Sequence, residues 1–230
     1  MKKIYFVFCM LLIINFLSII AVAENTLSSE AIDSTEKETL LKELHFSESD
    51  IEYEEELLVI DINDSGIIAV GSRYGGHCVI SLYNSNGDFN CSYEFSGSGD
   101  FGLGWEEDEL VLYIVRGDYE IIIDENGEIS DVFRLNYTGE NKDEIEKKFF
   151  STECYWNNNK YTLKKADSVL NNFINTYSYI LHTEDNGKET VFCNVGNRAE
   201  KDAVSIMFVF TFIIVVNGIV ITKKLKNNAD

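Results

Sequence analysis

Residues 79–95 read VISLYNSNGDFNCSYEF, and residues 119–135 repeat the same pattern as YEIIIDENGEISDVFRL. The two stretches align without gaps at an offset of 40 residues. In each, a β-rich apolar run enters an Asn-Gly pair, Asn86-Gly87 or Asn126-Gly127, and a second β-rich run follows. This pattern predicts a β-hairpin, and Asn-Gly favours a type I′ turn because both central residues of that turn need positive φ.

A third, looser copy covers residues 177–194 and turns at Asn186-Gly187. The chain also repeats upstream of the hairpins: residues 105–112, WEEDELVL, resemble residues 156–163, WNNNKYTL, and residues 62–68, INDSGII, occupy that place in the first unit. Each unit is therefore predicted to be a three- or four-stranded antiparallel meander. The period is about 40 residues, and it lengthens to about 50–60 after an insertion near residues 141–150. The predicted fold class is all-β.

These units resemble the blades of a β-propeller, in the broad sense of WD-repeat and NHL-repeat proteins, although the sequence has no Gly-His…Trp-Asp signature. Residues 97–116, which contain the run GSGDFGLGW and then LYIVR, also resemble uncharacterised single-pass membrane proteins of Gram-positive bacteria, for which no activity is known. A closed propeller needs at least about four blades, and the sequence offers three. An open curved meander, a sandwich and a truncated propeller all remain open.

The charge of the chain is strongly negative and unevenly distributed. It has 39 acidic and 19 basic residues, a formal net charge of −20. Residues 24–202 hold 38 of the acids and 14 of the bases, whereas both ends are positive. A polyanion repels phosphates and offers no basic surface for counterion release, so nucleic-acid binding is excluded. A hydrophobic content of 45% favours a packed core over disorder.

Both ends carry long apolar segments. Residues 1–23 read as a signal peptide, with Lys2 and Lys3 before an apolar run and Ala21-Val22-Ala23 as its cleavage site. An uncleaved anchor is the alternative. Ala203–Thr222 has no formally charged residue, and at ~1.5 Å rise per residue this length crosses the ~30 Å of a bilayer. We expect a transmembrane helix here; a buried core helix is the alternative.

The positive flank sets the expected orientation. Lysines at 223, 224 and 226 place residues 223–230 in the cytoplasm and residues 24–202 outside. Residues 195–202 are then a juxtamembrane linker. The outer part divides into an acidic segment, residues 24–55, with one helix near residues 35–45 capped by Asp33 or Ser34, and a β domain over residues 56–194.

Histidine and cysteine offer two candidate pairs, and neither pair meets a catalytic pattern. His77 and Cys78 are neighbours in a predicted strand, so their side chains point to opposite faces. His182 and Cys193 could lie diagonally on one face of the third hairpin, but they lack an orienting third group. The register of the first hairpin pairs Leu82 with Cys91, which leaves Cys78 too far from Cys91 for a disulfide. Isolated buried thiols are the expected state, the pairing of Cys154 with Cys193 stays open, and the cysteine spacings match no zinc motif.

Other local motifs have simpler interpretations. Asp61–Gly66, DINDSG, begins like a calcium loop but has Ser72 where the loop needs an acidic residue, so a β-turn between strands is the better interpretation. Trp105 and Trp156 occupy equivalent places in two units, which favours strand-end packing over a ligand platform. The alternating glycines at 97, 99, 102 and 104 lack the strand-to-helix context of a phosphate loop.

The sequence therefore predicts a membrane-anchored, extracytoplasmic β-repeat protein that acts as a binding or scaffolding module. The alternatives are an envelope enzyme that uses loop carboxylates, and an accessory or sensory subunit of a membrane complex. No catalytic, metal-binding or cofactor-binding residue is assigned, and no cofactor is expected. The expected partners are the membrane, through Ala203–Thr222, and an unidentified protein or cell-surface ligand.

Overall fold

The computed structural model describes residues 27–74, 76–97, 99–139, 141–167, 177–196, 204–205 and 207–215. The strands are β1 (Ser29–Ala31), β2 (Ser47–Ser49), β3 (Leu57–Ile62), β4 (Ile68–Tyr74), β5 (His77–Tyr83), β6 (Phe89–Ser96), β7 (Phe101–Glu106), β8 (Glu109–Ile114), β9 (Tyr119–Ile123), β10 (Ile129–Leu135), β11 (Glu153–Trp156), β12 (Asn159–Lys164), β13 (Tyr179–Thr183) and β14 (Glu189–Asn194). The helices are α1 (Ser34–Leu44) and α2 (Lys142–Phe149), and residues 204–205 and 207–215 are also helical.

The strands form three antiparallel sheets, each built on four strands that are consecutive in the chain. The first sheet has the order β2-β6-β5-β4-β3, the second β1-β10-β9-β8-β7, and the third β11-β12-β13-β14. All the strand pairings within these sheets are antiparallel. The predicted all-β, antiparallel fold is confirmed.

Four hairpins have the same type of turn, and it is not the predicted type I′. In each, the N–H of the closing glycine donates to the C=O three residues earlier. These glycines have φ between 79° and 93°, whereas Asn86, Asn126 and Asn186 are not at positive φ. The turn is thus a type I turn followed by a left-handed glycine. In two of these turns a side-chain oxygen favours the type I conformation. The Oδ1 atoms of Asn84 and Asp124 each accept hydrogen bonds from two backbone N–H groups across the loop. The four glycines are Gly66, Gly87, Gly127 and Gly187.

The first sheet is the central layer, because successive residues of β3 point to opposite sides. Val59 packs into a core shared with the second sheet, including Leu103 and Ile121. Ile60 packs into a different core shared with the third sheet, including Tyr161. The far face of the second sheet is covered by α2. The layers therefore run α2, second sheet, first sheet, third sheet.

The acidic N-terminal segment contributes more than its predicted helix. Asp33 caps α1 by accepting hydrogen bonds from the N–H groups of Thr35 and Glu36, as the sequence predicts. The segment also supplies β1, which pairs with β10, and β2, which pairs with β6. Their short, exposed sequences show no alternation that would have predicted them.

The turns after β3, β7 and β11 meet at one end of the molecule. The Oδ1 atom of Asp108 accepts hydrogen bonds from Asn63 and Ser65, which joins the first two turns. The indole Nε1 of Trp156 donates to the backbone C=O of Asp64 at 3.0 Å, which joins the third. Asp61–Gly66 thus ends β3 and forms a β-turn, as predicted, and Trp156 packs at a strand end.

The C-terminal helical residues are apolar on all sides. The large apolar side chains of residues 207–215 are between 48% and 78% exposed. Within the described residues, no helix is both long enough and apolar enough to cross a membrane. Residues 203, 206 and 216–222 of the predicted span lie outside the described residues, as do the predicted signal peptide and cytoplasmic tail.

Candidate functional site

Two adjoining cavities lie where strands of the first and second sheets are connected, and Asp100 lines both. The larger cavity, about 940 Å³, lies between α1 and the connections β4–β5, β6–β7 and β8–β9. The smaller cavity, about 700 Å³, lies between the β8–β9 connection and α2. Both volumes fall in the range of small-molecule sites.

The larger cavity has an apolar floor and a polar rim. Leu44 from α1 and Phe95 and Phe101 from the two sheets are buried in its floor. Glycines at 76, 97, 99 and 117 line its rim. At Gly97 a Cβ atom would lie 3.1 Å from the Sγ atom of Cys78, so a larger residue there would press on the floor.

Two groups of hydrogen bonds and ion pairs hold the rim of the larger cavity in place. Tyr119 donates its hydroxyl hydrogen to Oε1 of Glu36 at 2.6 Å, and Arg134 donates to both groups. These contacts hold α1 against the second sheet. On the other side, Arg73 donates to the C=O of Gly99 at 2.7 Å and to Asp100 at 3.1 Å. The other charged residues that line this cavity are Asp33, Glu43 and Arg116.

The smaller cavity is lined by aromatic rings from three different segments. Tyr113 from β8 stacks on Phe149, with ring centroids 5.2 Å apart, and meets the ring of Phe150 edge-on. Tyr137, in the loop between β10 and α2, is 48% exposed, and Val115 is 40% exposed. The cavity therefore offers uncovered aromatic and aliphatic surface to a ligand.

Carboxylates surround this aromatic surface. Tyr113 donates its hydroxyl hydrogen to Asp118 at 2.7 Å, and burial together with that carboxylate raises the pKa of Tyr113. Asp118 itself has a positive φ of 55° beside Gly117 in the β8–β9 turn, and it lines the cavity. Asp100 is paired with Arg73 and Glu146 with Lys142. The residues that line the smaller cavity include no lysine or arginine.

One carboxyl group with a perturbed pKa lies elsewhere. Burial raises the pKa of Asp61 to about 6, although hydrogen bonds from the backbone N–H groups of Ile62 and Trp105 act to lower it. Burial raises the pKa of the Cys154 thiol, and the charge of nearby Asp61 adds to this effect. Asp61 lines neither cavity.

The structure separates both candidate pairs suggested by sequence. Cys78 is buried while His77 is exposed, as expected for neighbours in a strand. His182 stacks on Tyr161, with ring centroids 4.6 Å apart, and its Nδ1 lies 3.4 Å from Oγ1 of Thr190. The side chain of Cys193 instead packs in the core between the first and third sheets, which also contains Tyr83.

Four of the cysteines lie among the residues that the structure describes. Cys78, Cys91, Cys154 and Cys193 are all free thiols, and Leu82 pairs with Cys91 in the predicted register. Among the described residues, no group of three or more His, Cys, Asp or Glu side chains could hold a metal ion.

Sequence reasoning did not find the two cavities. The glycines at 97 and 99 lack the context of a phosphate loop, and the sequence around Tyr137 shows no periodicity. Their convergence depends on how α1 and α2 pack against the sheets, which no local pattern encodes. No family model matches the chain, and no curated protein shows a significant match.

Proposed function

We propose that this chain is a membrane-anchored, extracytoplasmic binding module whose smaller cavity binds an organic cation. The residues that line this cavity are the observation that supports a cationic ligand. The cavity combines the exposed ring of Tyr137, the partly exposed ring of Phe150 and the carboxylate of Asp118 above the buried Tyr113, and its lining residues include no lysine or arginine. Aromatic faces attract ammonium and guanidinium groups through the ring quadrupole, and a carboxylate supplies the opposite charge.

The proposed ligand has a cationic head and a short apolar body. Asp118 accepts one hydrogen bond from Tyr113, and its negative charge can attract the cationic head of a ligand. The exposed side chain of Val115 can contact methylene or methyl groups. Asp100 and Glu146 already have cationic partners, so they contribute negative potential at the rim rather than a specific contact. The net charge of −20 raises the local concentration of cations.

The membrane anchor rests on the C-terminal helix. Exposed apolar side chains on all sides of residues 207–215 suit a lipid environment and are costly in water. Sequence extends this run to residue 222, followed by three lysines. Positive residues prefer the cytoplasmic side, which places the three sheets outside.

We also propose that the three sheets are propeller-like blades. Each is a meander of four consecutive strands, and their first strands β3, β7 and β11 all lie at the inter-sheet contacts. The helix α2 covers the face of the second sheet where a further blade would pack. This supports an open, three-bladed arrangement rather than a closed ring.

Calorimetry on the full chain in detergent tests the ligand class. Choline is the probe, and 3,3-dimethyl-1-butanol, which replaces its nitrogen with carbon, is the neutral control. We expect choline to bind and the neutral analogue to bind at least about tenfold more weakly, because cation–π attraction and the Asp118 charge act only on the cation. Equal binding of the two probes, or no choline binding at millimolar concentration, contradicts the proposal.

Matched tyrosine variants locate the binding. Tyr137→Ala removes an exposed ring from the smaller cavity, and we expect the dissociation constant for choline to rise about tenfold. Tyr155→Ala removes a ring of similar exposure from the third sheet and serves as the control. An equal effect of the two substitutions would assign choline binding to the general surface charge.

Protease treatment of intact cells tests the anchor and its orientation. A tag after Asp230 should survive in the membrane fraction while residues 27–196 are degraded. Release of the untreated chain by alkaline carbonate, or protection of the sheets, would contradict the anchored, outward orientation.

The envelope enzyme is the less favoured alternative. It requires two converging carboxyl groups, at least one with a perturbed pKa. The carboxyl group that burial perturbs most clearly, Asp61, lies apart from both cavities and accepts a structural hydrogen bond from β7. This favours binding over hydrolysis.

A further inference from the structure

The outer edge of the third sheet differs from the outer edges of the other two. In the first and second sheets, the fourth strand of the meander is covered by a short strand from the N-terminal segment, β2 on β6 and β1 on β10. In the third sheet the equivalent strand is β14, and among the described residues no strand pairs with its outer edge. An uncovered edge of this kind is a template for pairing with another strand.

The backbone of β14 presents hydrogen-bonding groups outward at Val191. Glu184 donates its N–H to the C=O of Lys188 and closes the β13–β14 hairpin. Bonded and non-bonded pairs alternate along an antiparallel ladder, so His182 and Thr190 form the next bonded pair. Val191, opposite Leu181, is then a non-bonded position, and its N–H and C=O point away from β13.

The side chain of Val191 adds apolar surface at the same place. It is 55% exposed, although it is a β-branched residue inside a strand. Natural proteins usually blunt a free edge with charge or proline, and the chain has no proline at all. The centre of this edge is therefore apolar, with its charged residues, Lys188 and Glu189, confined to the hairpin end.

The distribution of charge points to a second copy of the same chain. Residues 24–150, which build the first two sheets, hold 31 acidic and 8 basic residues, whereas residues 151–196 hold 5 acidic and 4 basic. Two copies that met through the first or second sheet would bring two strongly negative surfaces together. The third sheet is the nearly neutral part, so like molecules can approach there without that repulsion.

We propose that β14 pairs antiparallel with β14 of a second copy, around a two-fold axis at Val191. Each Val191 then exchanges two backbone hydrogen bonds with Val191 of the other copy, and the two third sheets become one continuous sheet. This isologous contact is self-complementary. The register keeps Glu189 of one copy away from Glu189 of the other, so no like charges face each other across the ladder.

The dimer is compatible with the proposed anchor and does not depend on it. Antiparallel β14 strands place the two Asn194 residues at opposite ends of the ladder, roughly 20 Å apart at about 3.3 Å per residue. Residues 195–202 can extend to about 26 Å in each copy, at about 3.3 Å per residue. Both helices can therefore reach one bilayer when β14 runs parallel to its surface.

The mass of the full chain in detergent, measured by sedimentation equilibrium, tests the proposal. We expect the wild-type chain to be a dimer. Val191→Lys places two like charges across the axis and should raise the dimer dissociation constant at least about tenfold. Tyr155→Lys introduces the same charge at a similarly exposed apolar position of β11, in the same sheet, and should leave the dimer intact.

A cysteine variant tests the register. Val191→Cys should give an intermolecular disulfide under mild oxidation, because the Cα atoms of a directly opposed, hydrogen-bonded pair lie about 5.5 Å apart, within the roughly 4.4–6.8 Å that a disulfide spans. Tyr155→Cys and the wild-type chain are the controls, and both should stay uncrosslinked. A monomeric wild-type chain, a dimer that survives Val191→Lys, or equal crosslinking of both variants would overturn the proposal. None of these outcomes depends on choline binding, so the two proposals can fail separately.

Discussion

The carboxylate of Asp61 accepts a hydrogen bond from the backbone N–H of Trp105 at 3.0 Å. This contact joins β3, the first strand of the first sheet, to β7, the first strand of the second. A Cβ atom on the neighbouring Gly104 would lie 3.6 Å from the same carboxylate oxygen. The acid is therefore enclosed at the junction of two sheets, which is why burial dominates its pKa.

The pH dependence of folding should show this buried acid. The pKa of Asp61 is about 6 in the folded chain, whereas the ordinary pKa of an aspartate is 3.8. Between these pH values the folded state holds a proton that the unfolded state has released, so the Asp61 contribution to stability falls as pH rises from about 4 to about 6 and is constant above. Asp61→Asn removes this titration.

Urea unfolding of both proteins at pH 4 and pH 7 measures the effect. We expect the free energy of unfolding of Asp61→Asn, relative to wild type, to rise by about 2.4 kcal/mol from pH 4 to pH 7, at about 1.36 kcal/mol per pKa unit, because the unfolded carboxyl is already partly ionised at pH 4. Other carboxyl groups are common to both proteins and cancel in the difference. A difference that does not change with pH would show that Asp61 titrates normally.

The repeated hairpins were predictable because their signals are local. Alternating apolar residues around Asn86-Gly87 and Asn126-Gly127 set the strands, and the predicted register of Leu82 with Cys91 is present. The predicted turn type was wrong because of Asn84 and Asp124, which lie two residues before each Asn-Gly. Their side chains accept hydrogen bonds from backbone N–H groups, and the turn is shifted by one residue. Hairpin placement follows from periodicity, whereas turn type depends on a single side chain.

Gly102 should be intolerant of even a methyl group. A Cβ atom there would lie 2.5 Å from the backbone C=O oxygen of Phe149, where α2 packs on β7. We expect Gly102→Ala to lower the free energy of unfolding by about 1–3 kcal/mol, the usual range for overpacking. Gly139→Ala meets nothing within 4 Å and is the matched control. Equal melting temperatures for the two variants would contradict this packing.

The cavities could not be predicted from the sequence because their residues converge from distant segments. Tyr113, Tyr137 and Phe150 come from a strand, a loop and the end of α2, and no spacing links them. The sequence predicts only an insertion near residues 141–150, where the structure has α2. Ile145 and Phe149 of this helix have helical spacing and are both buried. Such convergence is set by the packing of α2 on the second sheet.

The cap of α1 is a separable contribution to stability. Asp33 accepts hydrogen bonds from two N–H groups of the first turn at 2.8 and 2.9 Å. We expect Asp33→Ala to reduce the free energy of unfolding by about 1 kcal/mol. Ser34→Ala, at the first helical position, should change it by less than about 0.5 kcal/mol. Urea titrations in which Ser34→Ala costs as much as Asp33→Ala would show that the cap contributes nothing specific.

The four described cysteines should differ in reactivity according to their burial. Burial raises the pKa of all four thiols above the usual value, so each is a weaker nucleophile than a free cysteine at neutral pH. Cys78 and Cys154 are also inaccessible, at 0% and 5% exposure, whereas Cys91 and Cys193 are partly exposed. Iodoacetamide should therefore modify Cys91 and Cys193 first in the native protein, and all four together in urea. Mass spectrometry of the alkylated peptides measures the order, and early modification of Cys154 would show that the core between the first and third sheets opens in the native state.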